Sequence, residues 1–206
     1  MIFSMTRGLL VAALIVAFAG TAHADSPFSL FGNATAVKNK GNQTIVLTSD
    51  LNADTPYGGI AYYPNNNLTF ANIKSLSTDY FALNGIAGGS PRFQITVIDT
   101  DGQEVNIQVY IGTPPNFIQG PSDAWQSTGN LINSTDEIFD VSQLVGGYTI
   151  VTYQDAVKAF GNLQVVGIEL VVDGGWFPAF DGVQSVAFDN VTINNHKLTA
   201  SGFSKK

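Results

Sequence analysis

Residues 163–194 read LQVVGIELVVDGGWFPAFDGVQSVAFDNVTIN. Apolar, mostly β-branched residues on both sides of a Gly/Pro-punctuated loop predict two long strands joined by an aromatic-rich segment, residues 173–182. In the first strand Val166, Ile168, Leu170 and Val172 share one face, while Val165 and Val171 lie on the other beside Gly167 and Glu169. In the second, Ala187, Val191 and Ile193 oppose Val186 and Phe188. Strands that are apolar on both faces are covered on both, so this pair is expected in mid-sheet.

Upstream the same strand chemistry recurs at short intervals. Residues 43–49 (QTIVLTS) and 58–63 (GGIAYY) read as strands, closed by turns at Asp50, Asn52, Asp54 and Pro56 and at Pro64. Residues 68–70 and 76–83 follow. Phe93, Ile95 and Val97, then Val105, Ile107, Val109 and Ile111, alternate with Glu104, Asn106, Gln108 and Tyr110 around the turn at residues 99–102, a hairpin with one dry and one wetter face. Residues 131–132 and 137–141 are short strand candidates. Thr152, with Asp155 three residues on and Gly161 as a stop, frames one short helix. Many short strands and a single helix predict an all-β protein, an antiparallel β-sandwich of the jelly-roll kind.

The start of the chain reads as a signal peptide over residues 1–24: Arg7, an apolar run over residues 8–20, and the exit Ala22-His23-Ala24. Residues 25–42 are expected to be a polar N-terminal linker or edge strand, 43–194 the β-sandwich domain and 195–206 a flexible tail. The expected location is secreted or periplasmic, with no membrane association after signal cleavage. The formal net charge of −7 becomes about −8 once Arg7 is removed, which disfavours a nucleic-acid partner needing a basic face. There is no cysteine, and cleavage would leave His196 as the one histidine, so thiol catalysis and multi-histidine metal sites are excluded.

Residues 76–80 (LSTDY), 88–93 (GGSPRF), 167–173 with Gly175-Trp176, and 189–193 (DNVTI) together resemble a group of secreted bacterial β-sandwich proteins of uncharacterised activity. That resemblance implies export and a shared β-fold and carries no activity. The chain's ending is more distantly similar to galactose-binding-like carbohydrate-binding jelly rolls, whose members often hold a structural calcium ion near the first and last strands.

The loop at residues 173–182 sets Trp176, Phe177 and Phe180 beside Asp173 and Asp181. Sugar rings have apolar C–H faces and hydroxyl rims, so a flat aromatic flanked by acceptors suits a carbohydrate. Candidate ligand-binding residues are therefore Trp176, Phe180, Asp173 and Asp181, with Tyr62, Tyr63 and Trp125 as further aromatics. The competing reading has these rings folded back onto the core. Arg92, the one arginine past the leader, is expected to pair with Asp79. Asp99-Thr100-Asp101-Gly102 lacks the rest of an EF-hand loop and reads as a turn. Asp50 or Asp54 with Asp189 would supply oxygen ligands for calcium if their strands are neighbours, against the reading of solvated acids. No other cofactor is expected. Asn33, Asn42, Asn67, Asn133 and Asn190 begin N-x-S/T sequons. The leading expectation is an exported, non-enzymatic protein binding extracellular polysaccharide or another polymer. A polysaccharide-active hydrolase or lyase using carboxylates, and a structural envelope protein, are the alternatives.

Overall fold

The computed structural model describes residues 27–39, 42–64 and 67–198; the expected leader and the last eight residues of the expected tail lie outside them. In chain order the strands and helices are β1 (Phe28–Gly32), β2 (Ala34–Asn39), β3 (Asn42–Asp50), β4 (Gly58–Tyr62), β5 (Leu76–Ala82), β6 (Arg92–Ile98), β7 (Glu104–Tyr110), β8 (Gln126–Ser127) and β9 (Phe139–Asp140). They continue with α1 (Ser142–Val145), β10 (Ile150–Val151), α2 (Tyr153–Phe160), β11 (Gln164–Val172), β12 (Val183–Ile193) and β13 (His196–Leu198).

Two antiparallel sheets face one another. One has seven strands in the order β1-β4-β11-β6-β7-β9-β10, the other six, β2-β3-β12-β5-β8 with β13 paired to β12. The chain crosses between sheets at β1→β2, β3→β4, β4→β5, β5→β6, β7→β8, β8→β9 and β11→β12, while β4-β11-β6-β7 and β3-β12-β5-β8 form the two four-stranded paths of a jelly roll. β11 and β12 are interior strands of opposite sheets, each flanked on both sides. The loop between them is thus a crossover and not a hairpin. The dry interior is built from alternate residues: Phe93, Ile95, Val97, Ile168, Leu170 and Val172 meet Ile45, Leu47, Val186, Phe188, Val191 and Ile193.

Both central strands depart from strict period two. In β11 the register slips between Val165 and Gly167, so Val165 joins Ile168, Leu170 and Val172 in the core and the expected Val166 does not. In β12 it slips between Asp189 and Thr192, where Asn190 takes a left-handed φ of 53°. One extra residue there puts Val191 and Ile193 on the same face as Val186 and Phe188, correcting the opposition expected from unbroken alternation.

Other local readings are settled by side-chain capping. Thr152 Oγ1 accepts from the Asp155 N–H at 3.2 Å and starts α2, which ends at Gly161 as its sequence implies. Asp99 Oδ1 accepts from the backbone of Asp101 (2.9 Å) and Gln103 (2.8 Å), making residues 99–102 a hairpin turn. Residues 131–132 are not a strand: Asn130 Oδ1 accepts from Ile132 N and starts a 3-10 turn over Leu131–Asn133. Residues 68–70 likewise make only a single bridge, Thr69 to Gln164, before a 3-10 turn at Phe70–Asn72. That turn docks α2, with Tyr153 OH donating toward Phe70 O (2.8 Å) and Ile73 O (3.1 Å). Burial lifts the Tyr153 phenol to about 12. His196–Leu198, inside the stretch expected to be a flexible tail, forms β13 on the free edge left beyond the β12 bulge.

The bulge is testable. Asn190→Val places a β-branched residue at positive φ, so it is expected to lower unfolding free energy by about 1–2 kcal/mol more than Asn190→Gly in urea titrations. Both variants lose the Asn190 amide bond to Asp79 (2.6 Å), so their difference isolates the backbone.

Candidate functional site

The crossover at residues 173–182 is held by a dry polar clamp. Gln184, Ser90 and Ser49 are each 0% exposed. Gln184 Oε1 accepts from Gly174 N (3.1 Å) and Ser90 Oγ (2.6 Å), and its Nε2 donates to Ser90 O (2.8 Å) and Gly85 O (3.3 Å). Ser90 Oγ accepts from Asp173 N at 3.0 Å, and Ser49 Oγ accepts from Gly175 N at 3.0 Å while donating to Pro56 O at 2.7 Å. A Cβ on Gly174 would stand 2.4 Å from Gln184 Oε1, which is why glycine occupies that place. The clamp fixes Asp173, whose carboxylate takes a bidentate pair from Arg92 (2.7 and 2.6 Å). Arg92 Nη1 also donates to Gly89 O at 3.2 Å, and its Nε is buried without a hydrogen-bond partner.

Arg92 opens β6 on the outer face of the seven-stranded sheet, and that face carries the polar residues. Since Phe93, Ile95, Ile107, Val109, Ile168 and Leu170 point into the core, their neighbours point out. The registers align Ser29, Ala61, Glu169, Gln94, Gln108 and Asp140 in one row across six adjacent strands. A second row runs Phe31, Gly59, Val171, Arg92 and Tyr110, and a third Gly167, Thr96 and Asn106. Gln94 Nε2 reaches Glu169 Oε2 at 3.4 Å, Thr96 Oγ1 donates to Asn106 Oδ1 at 2.9 Å, and Tyr110 OH donates to Asp140 Oδ2 at 2.7 Å. Asp140 is anchored in turn by Ser142, whose N–H donates at 2.9 Å and whose hydroxyl also donates. Burial raises the Glu169 carboxyl above its ordinary value, with the Arg92 charge pulling the other way. Tyr110 is raised too, first by burial and then by Asp140, against the opposing pull of Arg92.

Exposed aromatics border this face. Tyr63, 62% exposed, follows β4, and its ring lies 3.8 Å from where a Cβ on Gly167 would stand. Burial and then Glu169 raise its phenol. Trp176 is 58% exposed and packs edge-on to Phe177 (5.8 Å) over Gly88, next to the Gly89 on which the Tyr110 ring rests. Tyr148, 79% exposed, is near enough to Tyr110 to influence its ionisation.

The structure divides the sequence candidates. Tyr63 and Trp176 are open to solvent on the two ends of the face. Tyr62 is 5% exposed, packed between Phe28 (5.4 Å) and His196 (5.4 Å), and Phe180 is 6% exposed beside Phe177. Both rings are buried, because the alternation of β4 turns Tyr62 inward and the 3-10 turn Pro178–Phe180 folds Phe180 back. Asp173 is spent on Arg92, which corrects the expected Arg92–Asp79 pair: Asp79 lies in the other sheet, opposite Asp189. Asp181 is exposed at a φ of 48°. Trp125 packs on Phe81 (6.1 Å), which lies opposite Ala187 on the outer face of the six-stranded sheet, so it shares no surface with Tyr63. The register also separates Asp50 from Asp189, one of the two pairings considered for calcium. Asp50 faces Val183 while Asp189 lies six residues further along β12, about 20 Å at roughly 3.3 Å per residue. Gln94, Gln108, Tyr110 and Tyr148 were not singled out from sequence, and Glu169 was weighed only with Asp173 as a carboxylate pair too far apart along one strand. The signal for Gln108 and Tyr110 was the wetter face of the β6–β7 hairpin.

No family model matches the sequence, and no curated protein matches it. Among solved structures, an agarase is similar over 82% of this chain and 24% of its own length, at 14% identity and a TM-score of 0.40. An exo-β-agarase is similar over 88% and 25%, at 15% identity and a TM-score of 0.38. A carbohydrate-binding module specific for non-crystalline cellulose is similar over 82% and 87%, at 9% identity and a TM-score of 0.36. The chain spans about a quarter of the length of the two agarases.

Replacing Gln184 by Leu leaves Gly174 N–H, Ser90 O and Gly85 O buried without that partner, at about 1–3 kcal/mol for each group left unsatisfied. Urea unfolding should show a midpoint shift of at least the lower figure with an unchanged slope. Glu169 gives a pH test. A carboxyl whose folded pKa is raised contributes stability below its unfolded pKa that is lost as pH rises through the folded value. Glu169→Gln should therefore gain stability relative to wild type as pH rises across that window and hold a constant difference above it.

Proposed function

We propose that this chain is an exported, non-enzymatic module that binds polysaccharide on the outer face of its seven-stranded sheet. The observation that carries the reading is the polar row Glu169, Gln94, Gln108, Asp140 on four adjacent strands, bordered by the exposed rings of Tyr63, Trp176 and Tyr148. Amides and carboxylates offer both donors and acceptors to ring hydroxyls, and the aromatics offer flat apolar faces to C–H surfaces. Among the described residues Gln94 makes one long side-chain contact, to Glu169 (3.4 Å), and Gln108 Oε1 lies 3.3 Å from Tyr110 OH, whose single proton goes to Asp140, so both amides keep hydrogen-bonding capacity for a ligand. The leader-like residues 1–24 support export.

Carboxylate spacing argues against hydrolysis on this face. Glu169 and Asp140 stand three strand spacings apart, about 14 Å at roughly 4.8 Å each, beyond the reach of the paired acids that cleave glycosides. Asp173 is closer along β11 but is held by Arg92.

Affinity electrophoresis and calorimetry against a panel of neutral and acidic polysaccharides test the reading. Binding to at least one should weaken about tenfold or more, about 1.4 kcal/mol, in Trp176→Ala and in Tyr63→Ala. Trp125→Ala, on the opposite sheet, should bind as wild type does. Absence of binding across the panel, or equal binding by all three variants, overturns it.

A further inference from the structure

We infer that the cleft at the end of the sandwich beside Tyr80, Gln119 and Gln126 is a second binding site, one that holds a single uncharged hydroxylated ring such as a sugar unit. The cleft has a volume of about 220 Å³, room for one small ring and not for a chain. It lies outside the polar rows of the sheet face, although Tyr110 lines both.

Its chemistry is built around a buried phenol. Tyr80 is 6% exposed, and its hydroxyl lies 2.7 Å from Gln126 Oε1 and 3.1 Å from Gln119 Oε1, while Gln119 Nε2 donates to Gln126 Oε1 at 2.8 Å. A phenol has one proton, so in this arrangement one of its two carbonyl contacts has no donor and the Nε2 protons of Gln126 have no partner among the described residues. Turning both amides balances the three contacts, and then the Tyr80 proton is the group left over. Either way the cluster keeps hydrogen-bonding capacity unused among the described residues, and because Gln119 and Gln126 are only half-buried and line the cleft, a ligand there can reach it. A hydroxyl, which both donates and accepts, satisfies either arrangement.

The rest of the lining agrees. Thr113, Ser127 and Thr128 add hydroxyl-bearing side chains, and Leu131, Ile138 and Pro114 supply an apolar wall for C–H groups. No lysine or arginine lines the cleft and Asp136 is its one carboxylate, so an anionic ligand has no counter-charge there. The site suits a neutral ring in the same way the sheet face suits a neutral chain, but apart from Tyr110 the two rest on different residues and can fail separately.

The test is an amide-resolved NMR titration of the full chain with free neutral monosaccharides, with glycerol and a sugar acid as comparison solutes. Saturable shifts at residues 119, 126–128 and 131 are expected with a neutral monosaccharide and weaker ones with the acid. The affinity should fall about tenfold or more in Gln126→Ala and in Thr113→Trp, which adds bulk at an exposed lining position that takes no part in the Tyr80–Gln119–Gln126 hydrogen bonds, and should be unchanged in Trp176→Ala. No saturable shift with any monosaccharide, tighter binding of the acid, or equal affinity in Thr113→Trp overturns the proposal. Loss in Trp176→Ala would assign the signal to the sheet face instead.

Discussion

The arrangement of the molecule's functional end depends on the side-chain amide of Gln184. It sits in the first turn-proximal part of β12, is 0% exposed, and spends both its oxygen and its nitrogen on groups from three separate segments. Those segments are the crossover after β11, the Gly88–Gly89 turn with Ser90, and Gly85. Burying an amide is costly unless it is fully paired, and here each partner is itself a buried group needing a bond. The clamp therefore fixes where the crossover lies, and with it Asp173, Arg92 and Trp176. A sheet face becomes a defined surface only when the loops at its ends are held, and one glutamine holds them.

Fold class was legible because it follows from short apolar strands with Gly, Pro and Asn turns, and from the near absence of helical periodicity. The mid-sheet position of β11 and β12 was legible for the same reason: Val165, Val171, Val186 and Phe188 are too apolar for an edge. Facing was not. Period two is a phase, and a single inserted residue at Val166 or Asn190 reverses it for everything beyond. Asn190 had a signal, since asparagine tolerates positive φ, but a lone asparagine in a strand pattern has other uses. The turns at residues 70–72 and 131–133 were missed because their cause lies outside the apolar pattern, in an Asn130 carbonyl and a docked Tyr153.

The site was less legible than the fold. The aromatics of the Gly/Pro loop differ in exposure, Trp176 open and Phe180 buried, because exposure of a ring is set by one turn of backbone. Tyr62 and Tyr63 are adjacent in sequence and opposite in fate, buried at 5% and open at 62%. The residues of the proposed binding face, Glu169, Gln94 and Gln108, are ordinary alternating polar positions in three strands. Only the register β11-β6-β7 brings them into one row.

The electrostatics of that row decide what kind of chain it can take. The whole protein is acidic, yet the one arginine on the face is neutralised by a bidentate carboxylate rather than left to attract anions. Glu169 is half-buried, its ionised form is disfavoured by that burial, and Arg92 offsets part of the cost. Asp140 has both oxygens engaged, one by Tyr110 and one by Ser142. If the proposed function holds, what remains to a ligand are chiefly the amides of Gln94 and Gln108 and the border aromatics, groups that read hydroxyls and ring faces but carry no net charge. Among the described residues the one arginine of this face is already paired, so an anionic chain would gain no free guanidinium there. The proposal therefore favours neutral glycans over acidic ones, because of the way the face's own charges are paired.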